Sequence, residues 1–103
     1  MEYNCLDAVF GNRLKDIPLA AIKANIGESM SSSAALQMAA AIGTLQNEVL
    51  PGTLNVEVSK KYKGLNLVSA AINLKKPENI LVNSFGPNGV NTSCIVSKYT
   101  SSE

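Results

Sequence analysis

Glu28 stands just after the turn Asn25-Ile26-Gly27, with Lys23 five residues before it and three serines, Ser31 to Ser33, a few residues after it, inside the stretch IKANIGESMSSSAALQMAAAIGTLQ. An amine and a carboxylate thus flank a tight glycine-containing turn. Other chemistry is sparse. Histidine is absent and the carboxylates are scattered, so neither a metal-ligand cluster nor a metal cofactor is expected. Cys5 and Cys94 lie far apart without Cys-x-x-Cys spacing, which indicates neither a zinc site nor a disulfide framework and fits reduced thiols. Cys94 falls in an apolar run and is expected to be a buried packing residue. Lys60, Lys61 and Lys63 form the single basic cluster. Their Gly64-containing surroundings read as a solvated loop, with a contact for an acidic partner or a phosphate as the alternative. The formal net charge is +1 and the nine Lys and Arg are spread along the chain, which gives no nucleic-acid footprint.

The elements that must position these groups follow from periodicity and turn residues. Apolar positions 3, 6, 9 and 10 predict a helix over Tyr3 to Phe10, with Gly11 as its C-cap. Ile17 to Ala24 is a compact apolar run that predicts a buried strand ending at Asn25-Ile26-Gly27. Ser31, Ser32 and Ser33 are N-cap candidates for a helix from about Ser33 to Asn47, and Pro51 stops its continuation. Gly52 to Lys63 reads as extended loop, and LNLVSAAINL as strand or loop up to the Lys75-Lys76-Pro77 break. Ile80 to Phe85 and Thr92 to Tyr99 are apolar and β-branched around Gly-Pro-Asn-Gly, the signature of a hairpin. With 103 residues the chain is one domain, residues 1–103. The N-terminus lacks a signal-peptide pattern, and no apolar run approaches the roughly 18 residues that span a bilayer. The expected location is the cytoplasm, with no membrane span.

The helix over 33–47 carries Ala34, Ala35, Leu36, Met38, Ala39, Ala40, Ala41, Ile42 and Leu45, and no charge before Glu48. A helix that is apolar all round must be buried all round. Three or four strands and one other short helix can cover one side of it. At about 25 cal/mol per Å² of apolar surface, a few hundred Å² left in water forgoes several kcal/mol, comparable to the whole stability of a small domain. A second polypeptide is therefore expected to cover the other side. The alternative is a lid made by the chain's own segment Gly52 to Lys76.

The order of segments resembles the C-terminal end of a β-ketoacyl synthase of the thiolase-like superfamily. Val9-Phe10-Gly11, Lys23 to Glu28, the Ala-rich helix, Val49-Leu50-Pro51-Gly52-Thr53-Leu54-Asn55, and Asn83-Ser84-Phe85-Gly86-Pro87-Asn88-Gly89-Val90-Asn91 match five family motifs in order. The resemblance implies the C-terminal half of a layered α/β fold: a mixed sheet, a buried Ala-rich helix and a C-terminal hairpin. It also implies decarboxylative Claisen chemistry that uses a nucleophilic Cys, two His and a supporting Lys. The Cys and the first His have no counterpart here, Glu28 takes the place of the second His, and Lys23 retains the supporting type. An ionised carboxylate has no proton to donate to a thioester carbonyl and repels developing enolate charge. Glu28 facing Lys23 suggests an ion pair that closes the emptied site; the alternative is a solvated Glu on a turn.

Phe85, Gly86, Pro87, Asn88 and Gly89 match the family's oxyanion and gate loop. In the synthases the residue at Pro87 lends a backbone N–H, and proline has none. Losing one such donor costs roughly 10² to 10³ in rate; Pro87 also simply suits a Gly-Pro-Asn-Gly turn. The expectation is a chain without catalysis of its own and without a cofactor. It would be a chain-length-factor-type subunit pairing with a ketosynthase or complementary ketosynthase-like chain in polyketide, aryl polyene or fatty acid biosynthesis, with acyl carrier protein as a further candidate partner. The alternative is the C-terminal half of a split synthase in which another chain supplies Cys and His. Met1 points to a native start, and a piece of a longer chain is the third possibility.

Overall fold

The computed structural model describes residues 1–56, 64–86 and 88–99. Helix α1 spans Glu2–Phe10 and turns its Leu6 inward; Gly11, at φ 53°, donates its N–H to Asp7 and ends the helix. A 3-10 stretch, Gly11–Asp16, follows and buries Leu14. The predicted helix is therefore present, and the 3-10 turn extends it around a corner that the spacing of apolar residues did not announce.

The run Ile17 to Ala24 is not one buried strand. Only Pro18–Leu19 is extended, as strand β1, and both residues are half-buried. The reason is local. Val68 donates its N–H to Leu19 O at 2.9 Å, but Ala21 already gives its own N–H to Thr53 Oγ1 at 3.0 Å, so the ladder stops. Lys23–Ile26 then makes a single helical turn, α2, in keeping with the helix preference of Lys and Ala.

Helix α3 is Ser33–Asn47. Ser32 occupies the N-cap position without a side-chain capping bond; its Oγ donates to Ser29 O at 2.9 Å. Val49–Leu50 (β2) pairs antiparallel with Ile72–Asn73 (β4). Asn66–Leu67 (β3) pairs parallel with β1. Asn79–Phe85 (β5) and Asn91–Ser97 (β6) form the predicted hairpin in unbroken register from Asn79↔Ser97 to Phe85↔Asn91. The class is α/β, and the described strands form three two-stranded ladders rather than one continuous sheet.

α3 packs chiefly on β5, β2 and β6. Ser33, Ala41, Thr44 and Leu45 are buried along one stripe. Much of the opposite side is open: Ala34, Ala35 and Ala39 are exposed, and Leu36 and Ile42 retain 41% and 47% of their accessible surface. The helix is thus half covered. Of segment 52–76, the described strands β3 and β4 are committed to β1 and β2. Lys60, Lys61 and Lys63 lie outside the described residues.

Cys94 corrects another expectation. It lies in β6 and is exposed, because β6 is an edge strand most of whose residues face solvent. Cys5 is exposed as well, and both are free thiols.

Candidate functional site

Lys23 opens α2, and Gly27 closes it by donating its N–H to Lys23 O at 2.8 Å. Gly27 adopts φ 82°, ψ 171°, a conformation that a Cβ would resist. The chain reverses there and carries Glu28 back over the residue that started the turn. Lys23 Nζ and Glu28 Oε2 are 2.8 Å apart, with roughly half of each side chain exposed (45% and 50%).

The other carboxylate oxygen is also engaged. Met30 donates its backbone N–H to Glu28 Oε1 at 2.7 Å, and Ser33 Oγ donates to the same atom at 2.5 Å. Met30 is held at φ 54°, a left-handed conformation uncommon for a non-glycine residue, and the carboxylate rewards it with a charge-assisted bond. Hydrogen bonding from the Lys23 ammonium first, then from Ser33 and Met30, lowers the Glu28 pKa from 4.5 to about 2. The group is therefore an anion at neutral pH. It can accept hydrogen bonds, but it is too weak a base to take up a proton there and has none to donate.

Two residues that sequence reading left aside hold this turn in place. Asn25 Nδ2 donates to Gly52 O at 2.8 Å, and Asn25 Oδ1 accepts the Leu54 N–H at 2.9 Å. Thr53 is buried; its hydroxyl receives the Ala21 N–H, and its own N–H goes to Val68 O at 2.7 Å. Gly52 permits the contact, since a Cβ there would fall 2.6 Å from Ala70 Cα. The signal was in the Leu50-Pro51-Gly52-Thr53-Leu54-Asn55 run, whose polar residues have no partner within their own segment.

A cavity of about 430 Å³ opens between α1, the β1–α2 connection, α3 and β5, and Lys23 and Phe85 both line it. Glu28 reaches the cavity only through Lys23, being absent from its lining. Gly86, Asn88 and Gly89 stand outside the lining, in the hairpin turn. There Gly86 donates to Val90 O at 2.7 Å, and Gly89 donates to Gly86 O at 3.3 Å. Gly89 has φ 75°. Pro87 lies outside the described residues. The structure thus pairs Lys23 with Glu28, sets Lys23 and Phe85 on the lining of one cavity, and leaves Gly86, Asn88 and Gly89 outside it.

Residues 1–57 match the model of the β-ketoacyl synthase, C-terminal domain family. The chain belongs to that family. Both members of the ion pair fall inside the matched residues, whereas the hairpin lies beyond them. A highly reducing polyketide synthase of Alternaria alternata is similar at 29% identity over 103 residues, an alignment that covers 93% of this chain and 4% of that protein. The β-ketoacyl synthase-type chain therefore spans a small fraction of the length of this relative. Among its described residues no helix is long and apolar enough to cross a membrane.

Proposed function

We propose that the chain is a non-catalytic, chain-length-factor-type subunit that pairs with a ketosynthase or complementary ketosynthase-like polypeptide. The observation that carries this reading is the open outer face of α3, where Ala34, Ala35, Leu36, Ala39 and Ile42 are exposed with no charged residue among them. A largely apolar, uncharged helical face of this kind is the surface a second polypeptide covers. The lack of independent catalysis follows from the ion pair. Where the synthases use a neutral imidazole, this chain holds an anion fixed by Lys23, Ser33 and Met30, which opposes the build-up of enolate charge. Proline at 87 has no N–H to offer an oxyanion. Both features also weigh against the split-synthase alternative.

The partner's acyl tunnel would be shaped, and its fold stabilised, by this pairing. Polyketide biosynthesis is the pathway class favoured by the fungal relative, and acyl carrier protein is a further candidate contact. The test is co-expression with each ketosynthase-like polypeptide of the source organism, followed by size-exclusion chromatography. A co-eluting complex with one of them is expected. A lone monomer peak in every combination overturns the reading.

A further inference from the structure

The hairpin's ladder has a parity that exposes one of its edges. Gly86 donates to Val90 O and Lys98 donates to Glu78 O, so with the register Asn79↔Ser97 to Phe85↔Asn91 the even-numbered residues of β5 are those that exchange hydrogen bonds with β6. The backbone groups of Asn79, Leu81, Asn83 and Phe85 point the other way, because an antiparallel strand alternates its hydrogen-bonding side residue by residue. All seven residues of β5, and none of β6, line the cavity. The unpaired edge therefore faces into it. Across the cavity, β1 repeats the pattern: Leu19 O is taken by Val68 on the β3 side, while Pro18 and Ala20, on either side of it, turn their carbonyls away and also line the cavity.

Two strands with open edges thus flank one cavity, with α3 residues Ala40, Ala41 and Thr44 along its wall. Among the described residues of the lining, Glu2 and Lys23 are the only charged ones. Among the described residues, β5 has no strand partner other than β6, and β1 has none other than β3. An unpaired edge is a template for main-chain pairing. We infer that an extended, apolar segment of the ketosynthase-like partner enters this cavity and adds to the free edge of β5 as a further strand. This rests on the pairing proposed above and specifies its mode. Two features favour a strand from that polypeptide as the occupant. The matched family is the C-terminal domain of a larger synthase, and the relative's chain extends far beyond the aligned stretch. The cavity wall is also nearly uncharged, which suits an apolar segment.

Amide hydrogen exchange by NMR on the full chain, alone and bound to the ketosynthase-like polypeptide that co-elutes with it, tests the inference residue by residue. In the free chain the amides of Leu81 and Asn83 should exchange fast and those of Ile80, Val82 and Ser84 slowly. In the complex Leu81 and Asn83 should slow by roughly a hundredfold or more as they gain main-chain acceptors. A complex in which protection appears on other surfaces while Leu81 and Asn83 remain fast overturns the strand, yet leaves the pairing intact. Protection of the two amides that grows with the concentration of the free chain assigns the edge to a second copy and equally overturns it. Absence of any complex on the column removes the pairing itself, and the strand with it. A Leu81→Pro variant removes one donor that β6 does not use. It should keep the slow amides of the hairpin and weaken the complex by about tenfold or more; undiminished affinity with an intact hairpin contradicts strand addition.

Discussion

At Glu28 an ammonium, a hydroxyl and a backbone amide converge on one half-exposed carboxylate, and the consequence is a pH signature rather than a large stability. Salt bridges this exposed are worth little in water. The sign is nevertheless fixed. The folded pKa is depressed from 4.5 to about 2, so the stabilisation is fully present above about pH 4.5 and disappears as pH falls through about 2. Replacing Glu28 by Gln should flatten the acid limb of the melting temperature between pH 5 and pH 2, in the range where the wild-type chain loses stability, as shown by the difference between their thermal midpoints across that range. Parallel curves would mean that the carboxylate is solvated and the ion pair only nominal. The types of Lys23 and Glu28 and the glycine between them made the pair legible in the sequence. Ser33 as its third partner was not, because its hydroxyl reads equally well as a helix cap.

The elements themselves divide by how locally they are determined. α1, α3 and the β5–β6 hairpin were legible because each is set by its own periodicity, glycine placement and turn residues. β1 was misread because its length is decided 32 residues away in sequence, where Thr53 takes the Ala21 amide. Cys94 was misread for a related reason: an apolar, β-branched strand signals burial, but whether its face is covered depends on what packs against β6. The same distinction separates the two sides of α3. Leu45 is 4% exposed, and Leu45→Ala should destabilise the chain by about 2–5 kcal/mol through loss of transfer energy and the cavity left behind. Ile42, open on the other side, should change the free chain by less than about 0.5 kcal/mol when replaced by Gln. It should nonetheless weaken the partner complex by about tenfold, or about 1.4 kcal/mol. Urea unfolding of the two variants, alongside a binding titration of Ile42→Gln, separates the faces; equal unfolding costs at both positions would mean that α3 is covered on both sides without a partner.

For the molecule as a whole, the buried apolar core of the described residues is small. Among the described residues no large side chain is fully buried, and the apolar core is limited to Leu6, Leu14, Ala41, Leu45 and Val68. Heat capacity reports this shortfall directly, because the ΔCp of unfolding is set by the apolar surface newly exposed to water. A fully packed chain of this size unfolds with a ΔCp of about 1.2–1.5 kcal/mol/K. Scanning calorimetry of the isolated chain should give a broad transition with a ΔCp well below that range. If the unused surface is the interface, unfolding of the complex should show a ΔCp larger than the sum of the two free components, since apolar area shared between the chains is exposed only when both come apart. A sharp transition of the lone chain at the full value, independent of its concentration, would mean that the exposed faces of α3 and β5 are ordinary solvent surface and that the fold needs no second polypeptide.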